Sequence, residues 1–300
     1  MYPAAFRYYR AGSMKEAADL LSQLGEDARA LAGGQSLIPL MKLRLARPSA
    51  LVDLNFIPNV SIIHKRDQEI RIGALAHHGD IADSKIVEQV PVLHDCAAGI
   101  ADVQIRNRGT IGGSVAEADP SGDWTPVLLT LGAEVRCVSP EGERTIPLRD
   151  FTIDAYTTAM KQGELLKEVR IKVPPKNSAG AYLAFKRCPS VYASASVAVQ
   201  LTMHEDTCED ARIQLGCVGL TTVHAQNAEA ELRGKSISER TIRSAAEAAM
   251  NEAEPQPDMR GSVPYKRVLV RALLKRAIAL ALRRSRGEHV EVSHEYVGKN

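Results

Sequence analysis

This 300-residue chain has no cysteines spaced for a metal or redox motif. The five cysteines, at positions 96, 137, 188, 208 and 217, include no Cys-x-x-Cys pair, and the closest two are nine positions apart. An odd, scattered set without an export signal predicts reduced thiols in a cytoplasm. It also argues against an iron–sulfur cluster held within the chain, because such clusters draw on about four grouped thiolates. No apolar run approaches the ~20 residues of a membrane helix. The opening Met1-Tyr2-Pro3 lacks the basic and apolar segments of a signal peptide. Neither charge dominates: 38 Lys and Arg against 36 Asp and Glu leave a formal +2, too little to argue for nucleic acid or an acidic membrane as partner. Gly-x-Gly-x-x-Gly is absent, which disfavours a doubly wound nicotinamide fold. There is no internal repeat and no low-complexity stretch.

The composition that is present, 45% hydrophobic and 25% charged, is ordinary for a globular protein, with core enough for two or three domains. Ser13 and Glu16 form a capping box ahead of Ala17, Ala18, Leu20, Leu21 and Leu24 at helical spacing, with Gly25 as the stop. Short strands are expected at 28–32 and 51–54, so the first 55 residues have a β-α-β character. A strand is expected at 69–74 and helical signals run from 78 to 101. Pro126 suits the first position of a short helix to Leu131, and 133–147 reads as a hairpin around Ser139-Pro140-Glu141-Gly142. A strand at 165–173 ends at Pro174-Pro175, where a domain boundary is expected. Beyond it lie strands at 181–187, 194–203 and 212–218, then helices near 225–233, 237–252 and 265–285. The last helix is expected to bury Val268, Leu269, Ala272, Leu273, Ile278 and Leu282, with its arginines on a solvated or subunit-facing side.

Two glycine-rich turns dominate: Ala32-Gly33-Gly34-Gln35-Ser36-Leu37 and Thr110-Ile111-Gly112-Gly113-Ser114. Glycine lets backbone N–H groups approach an anion closely, since no Cβ intervenes and positive φ is permitted. Two such turns converging on one ligand would cradle a pyrophosphate, which points to a dinucleotide cofactor. A glycine pair alone can simply make a tight turn, and the residues by themselves leave both readings open. The hydroxyls of Ser36, Ser114 and Thr110, and the polar loop Asp119-Pro120-Ser121-Gly122-Asp123, favour the cofactor. His77-His78 makes a poor chelating pair, because neighbouring side chains on a strand point to opposite faces; both are taken as loop residues, and Asp53, Asp80 and Asp83 as caps or turns. Trp124, the only tryptophan, follows Asp123 and is expected to pack beside the cofactor.

Ala-Gly-Gly-Gln-Ser-Leu at 32–37, continuing to Leu45, resembles the first flavin-binding signature of the medium subunit of molybdenum hydroxylases, the family of xanthine dehydrogenase and aerobic carbon monoxide dehydrogenase. Thr-Ile-Gly-Gly-Ser at 110–114 resembles the second. Ile72-Gly73-Ala74-Leu75, Asp119 to Asp123, Phe185-Lys186-Arg187 and Tyr192 fall where the family has similar motifs, and the likeness covers nearly the whole chain. It implies an α+β (mixed α/β) fold: a two-subdomain FAD-binding architecture of the vanillyl-alcohol oxidase and p-cresol methylhydroxylase type, plus a C-terminal α+β domain. The FAD-binding domain would be 1–176 (subdomains about 1–57 and 58–176), the C-terminal domain 177–288, and the tail 289–300.

By the same resemblance, Leu31, Ala32, Gly33, Gly34, Gln35, Ser36 and Leu37 with Thr110, Ile111, Gly112, Gly113 and Ser114 would wrap the pyrophosphate. Asp123 would meet the ribose or adenosine side, and Ile100 and Ala101 would border the cofactor. Leu165 or Leu166 would contact adenine or an isoalloxazine edge. Lys186 would stabilise charge on a reduced flavin, and Tyr192 would lie on a ring face. Read without the resemblance, Lys186 is an ordinary surface lysine and Tyr192 half-buried packing. The resemblance further implies FAD here, with molybdopterin on a large partner subunit and two two-iron two-sulfur clusters on a small one, assembled as a dimer of heterotrimers. The alternative is a stand-alone FAD-dependent oxidase or reductase of the same fold, which would need acid–base groups that the C-terminal part does not display.

Overall fold

The computed structural model describes residues 2–292. Of the expected tail, residues 293–300 lie outside the described residues. The chain opens with β1 (Arg7–Arg10), α1 (Met14–Leu24), β2 (Ala28–Leu31), α2 (Leu37–Lys42) and β3 (Ala50–Asp53). The three strands form a parallel sheet in the order β1-β3-β2. Ser13 caps α1 by accepting from the Glu16 amide at 3.1 Å. Glu16 reaches back one residue further than expected, to the Gly12 amide. Gly25 ends the helix at φ +77, a conformation that favours glycine.

A second sheet is antiparallel, in the order β4-β5-β10-β6-β7. Its strands are β4 (Ile63–Arg66), β5 (Glu69–Gly73), β6 (Glu134–Ser139), β7 (Gly142–Pro147) and β10 (Leu165–Lys172), with a small ribbon of β8 (Thr152–Asp154) and β9 (Thr157–Thr158) between the last two. The hairpin β6–β7 falls where the turn chemistry puts it. The expected helical run from 78 to 101 is broken into α3 (His78–Ala82), a single tight turn and α4 (Pro91–Gly99). Pro91 carries no N–H and can only open a helix. After α5 (Val103–Arg106) comes α6 (Ile111–Glu117), whose first turn is the second glycine pair. Helix α7 (Trp124–Thr130) starts earlier than expected, with Pro126 as its third residue, still within the first turn where no intrahelical donor is needed.

The third sheet is β11 (Ser178–Phe185), β12 (Ala195–His204), β13 (Thr207–Gly216) and β14 (Val223–His224), covered by α8 (Gln226–Ala230), α9 (Glu239–Glu252) and α10 (Val263–Ser285). One hydrophobic cluster unites the first two sheets with α1, α4, α6 and α7, and takes in Tyr182 and Ala198 of the third. A second lies between the third sheet and α8–α10. Helix α10 buries Val270, Leu273, Leu274, Ala277, Ile278 and Ala281. This stripe is rotated from the expected one, and Val268 is 46% exposed. Nor do all its arginines face outward. Arg284 forms a two-pronged pair with the fully buried Asp95 of α4, at 2.6 and 2.8 Å, and donates to the Gly180 carbonyl of β11. Asp95 also accepts from the Tyr182 amide. Three elements from both clusters are thereby joined at one carboxylate.

Candidate functional site

Strand β2 delivers the chain at Leu31 into the first glycine segment, and α2 carries it away from Leu37. Gly34 sits at φ +71, which an L side chain adopts only at a cost. The amides of Gly33, Gly34, Gln35, Ser36 and Leu37 donate to no protein acceptor among the described residues. Five consecutive unpaired N–H groups are what an anion-binding loop requires. Gly33 is pressed against the chain leading to the second segment: a Cβ there would lie 2.0 Å from the Arg108 carbonyl oxygen and 2.9 Å from Gly109 Cα.

The second segment is built differently. Thr110 caps α6 by accepting from the Gly113 amide at 3.1 Å. The amides of Ile111 and Gly112 donate to the carbonyls of Ala76 and Ala74, and that of Ser114 to Thr110. Gly112 leaves no room for a side chain, since its Cβ would stand 2.5 Å from the Ala74 Cβ and 2.6 Å from its oxygen. The expectation of a pair of amide cradles is therefore corrected: the amides of 111 and 112 hold α6 against the segment that follows β5, and those of 113 and 114 are used in capping α6.

Both segments line one cleft of about 890 Å³, within the 300–1,000 Å³ range of small-molecule and cofactor sites. The cleft brings together residues 31–37, Ile100, Ala101, Thr110, Gly112, Gly113, Ser114, Asp123, Leu165, Leu166, Lys186 and Tyr192. Ile111 is not among them, because it is fully buried in the core beneath α6. Ala101 holds φ +42 at the cleft wall.

Lys186, at the end of β11, is 6% exposed and donates to Asp123 Oδ2 at 3.1 Å and to the Gly99 carbonyl at 2.8 Å. The other Asp123 oxygen accepts from the buried Tyr182 hydroxyl. Burial alone would lower the lysine's pKa, but the charge and hydrogen bond of Asp123 outweigh it and raise it, so Lys186 stays a cation. Burial, reinforced by Asp123, pushes the Tyr182 hydroxyl well above its usual value. Lys186 is thus a buried, paired lysine and not the surface one that the residues suggest without the resemblance. Asp123 and Lys186, expected on different parts of the cofactor, are in direct contact with each other.

One cleft residue was read from the sequence only as half of a poor chelating pair in a loop. His78 is 5% exposed and opens α3 instead of lying in a loop. Its Nδ1 accepts from Trp124 Nε1 at 3.1 Å. Burial lowers its pKa to about 4. The pairing spans 46 positions, so the adjacent His77 was the only visible cue. Tyr192 lies at the mouth, 48% exposed, with its pKa raised by burial and by Asp119 and the Arg260 guanidinium 5.8 Å from its ring centre.

Residues 4–175 match the FAD binding domain in molybdopterin dehydrogenase, and residues 180–281 the CO dehydrogenase flavoprotein C-terminal domain. The chain belongs to the FAD-binding medium subunits of the molybdenum hydroxylases. This medium subunit is 40% identical to the 6-hydroxypseudooxynicotine dehydrogenase complex subunit alpha of Paenarthrobacter nicotinovorans, over 98% of its own length and 100% of that protein's. To the carbon monoxide dehydrogenase medium chain of Afipia carboxidovorans it is 39% identical, covering 95% and 100%. The solved carbon monoxide dehydrogenase of Hydrogenophaga pseudoflava superposes with a TM-score of 0.92 at 38% identity, covering 95% of this chain and 99% of that one. The mixed α/β fold, the FAD cofactor and membership of an oxidoreductase are thereby established for the medium subunit. Among its described residues, no helix is long and apolar enough to cross a membrane.

Proposed function

We propose that this chain relays electrons within a three-subunit complex in the cytoplasm. A large partner carrying molybdopterin oxidises the substrate, a small partner with two two-iron two-sulfur clusters conducts the electrons, and this chain delivers them to an external acceptor. Bound FAD would supply a store for two electrons between the single-electron carriers and the acceptor. In this reading residues 1–176 form the FAD-binding part and 177–288 close over it through Lys186 and Tyr192.

The observation that carries the reading is the run of five unpaired amides at 33–37 in a cleft that also holds a buried, charged lysine. Those amides would hold the diphosphate, a task glycine performs by letting backbone approach oxygen directly. Lys186 would offer positive charge to the flavin and Asp123 would temper it, so that the cation is neither solvated nor unbalanced. Leu165 and Leu166 supply apolar wall. Tyr192 would cover a ring face and exclude water.

Native co-purification with a visible spectrum tests this. Flavin absorption over a broad iron–sulfur background, with two companion chains and a mass near that of paired heterotrimers, is the expected result. A single colourless chain, or a flavoprotein that oxidises a substrate alone, would overturn it.

A further inference from the structure

His78 has no part in the signatures or in the electron relay described above. Its Nδ1 accepts from Trp124 Nε1, and an indole nitrogen can only donate, so the imidazole's proton lies on Nε2. That Nε2–H meets no protein acceptor among the described residues; the residue is only 5% exposed, yet this nitrogen is not among the fully enclosed unpaired atoms, so it opens onto the cleft that His78 lines. Its position is telling. A Cβ on Gly109 would lie 2.8 Å from Nε2, and a Cβ on Gly33 would lie 2.9 Å from Gly109 Cα. The nitrogen therefore sits where the two glycine segments meet, and glycine at 109 leaves that edge of the ring uncovered. His78, Gly109 and Gly33 all line the cleft. The second segment has spent its amides on α6, so its side of the cleft lacks a backbone donor where the first segment presents five.

We propose that His78 is a cofactor-binding residue whose Nε2–H donates to a pyrophosphate oxygen of the bound FAD, opposite the amides of the first glycine segment. The inference rests on the FAD site proposed above. It gives the diphosphate a donor from its second side without adding another charge beside Lys186. Trp124 acts as the positioning residue, fixing the tautomer and the ring plane.

The test uses the full chain labelled with 15N-histidine, titrated with FAD and separately with ADP, which carries the diphosphate without the flavin. The resonance absent from His78→Gln identifies the residue. Its Nε2 proton is expected to move and to exchange more slowly with either ligand. His78→Phe should weaken both ligands about tenfold, the scale of one charge-assisted hydrogen bond. His78→Gln, whose amide can both accept from Trp124 and donate, should stay within about threefold of the parent. Trp124 fluorescence reports whether the variants fold, and the resonance of the unsubstituted chain decides if they do not. An Nε2 signal indifferent to both ligands overturns the proposal, as does unchanged affinity in His78→Phe. Weakened FAD with unchanged ADP also overturns it. In each case the FAD site stands if the unsubstituted chain binds FAD; failure of that chain to bind FAD or ADP overturns both.

Discussion

The two glycine segments look alike as text, yet one leaves its amides free and the other uses them all. At 33–37 the amides find no protein acceptor among the described residues, and Gly34 supplies the positive φ that the turn needs. At 111–114 the glycines begin a helix and let it lie against the backbone of Ala74. The same residue type thus performs two tasks, presenting donors in one place and permitting contact in the other. A motif's letters do not say which; the neighbours a Cβ would strike do.

The contrast can be broken most directly at Gly112. Valine there must displace the Ala74 backbone, and since overpacking costs about 1–3 kcal/mol even where side chains can yield, a stability loss of about 3 kcal/mol or more is expected in thermal unfolding. A Gly112→Val chain that melts normally and loses only flavin would make the second segment a cradle after all.

Next in size is the imidazole under that segment. His78 is neutral in the folded chain down to about pH 4, against 6.5 when unfolded. Between those values the unfolded state binds the extra proton, so stability falls as the pH falls through this window and is intact above it. The loss reaches about 3 kcal/mol by pH 4. Urea unfolding of the parent and His78→Gln from pH 7 to 4 should show the parent's curve falling more steeply. Parallel curves would remove the neutral imidazole from the account.

Gly34→Ala probes the first segment alone. An L residue at φ +71 costs about 1–2 kcal/mol, and its Cβ would meet Ile38 Cγ1 at 2.9 Å. FAD affinity should drop about tenfold with a shift of only a few degrees in Tm; undiminished affinity would deny the segment its role. The smallest effect belongs to Ser114→Ala, which removes a cleft hydroxyl but no backbone contact. Affinity should change about fivefold or less and stability hardly at all, measurable by flavin fluorescence titration. A larger loss would give the second segment a binding share that its amides lack.

Much of the frame was legible because the cues were local. Ser13 and Gly25 bracket α1 by cap chemistry, and Ser139 to Gly142 turns β6 into β7. Strands β1 and β4 went unread because Arg7-Tyr8-Tyr9-Arg10 and Ile63-His64-Lys65-Arg66 are short edge strands with no alternation to detect. The α10 stripe was misjudged because alanines serve as its buried positions and Val268 lies outside it. The residues that converge on the cleft were mostly readable through family signatures. Their chemistry was not: the Asp123–Lys186 pair spans 63 positions, and Trp124–His78 spans 46. Burial and pairing at that range are tertiary facts that no local window contains.

The Asp95–Arg284 clasp has a consequence for the order in which the molecule can mature. A carboxylate buried beside the first hydrophobic cluster receives its counter-charge, among the described residues, from one 189 positions later. Burying that carboxylate unpaired would be costly, so the region around α4 is expected to stay open to water until the final helix has emerged. Lys186 hangs from the strand that the same clasp secures. The nucleotide cleft is therefore completed by the finished polypeptide, and flavin uptake is expected to follow translation.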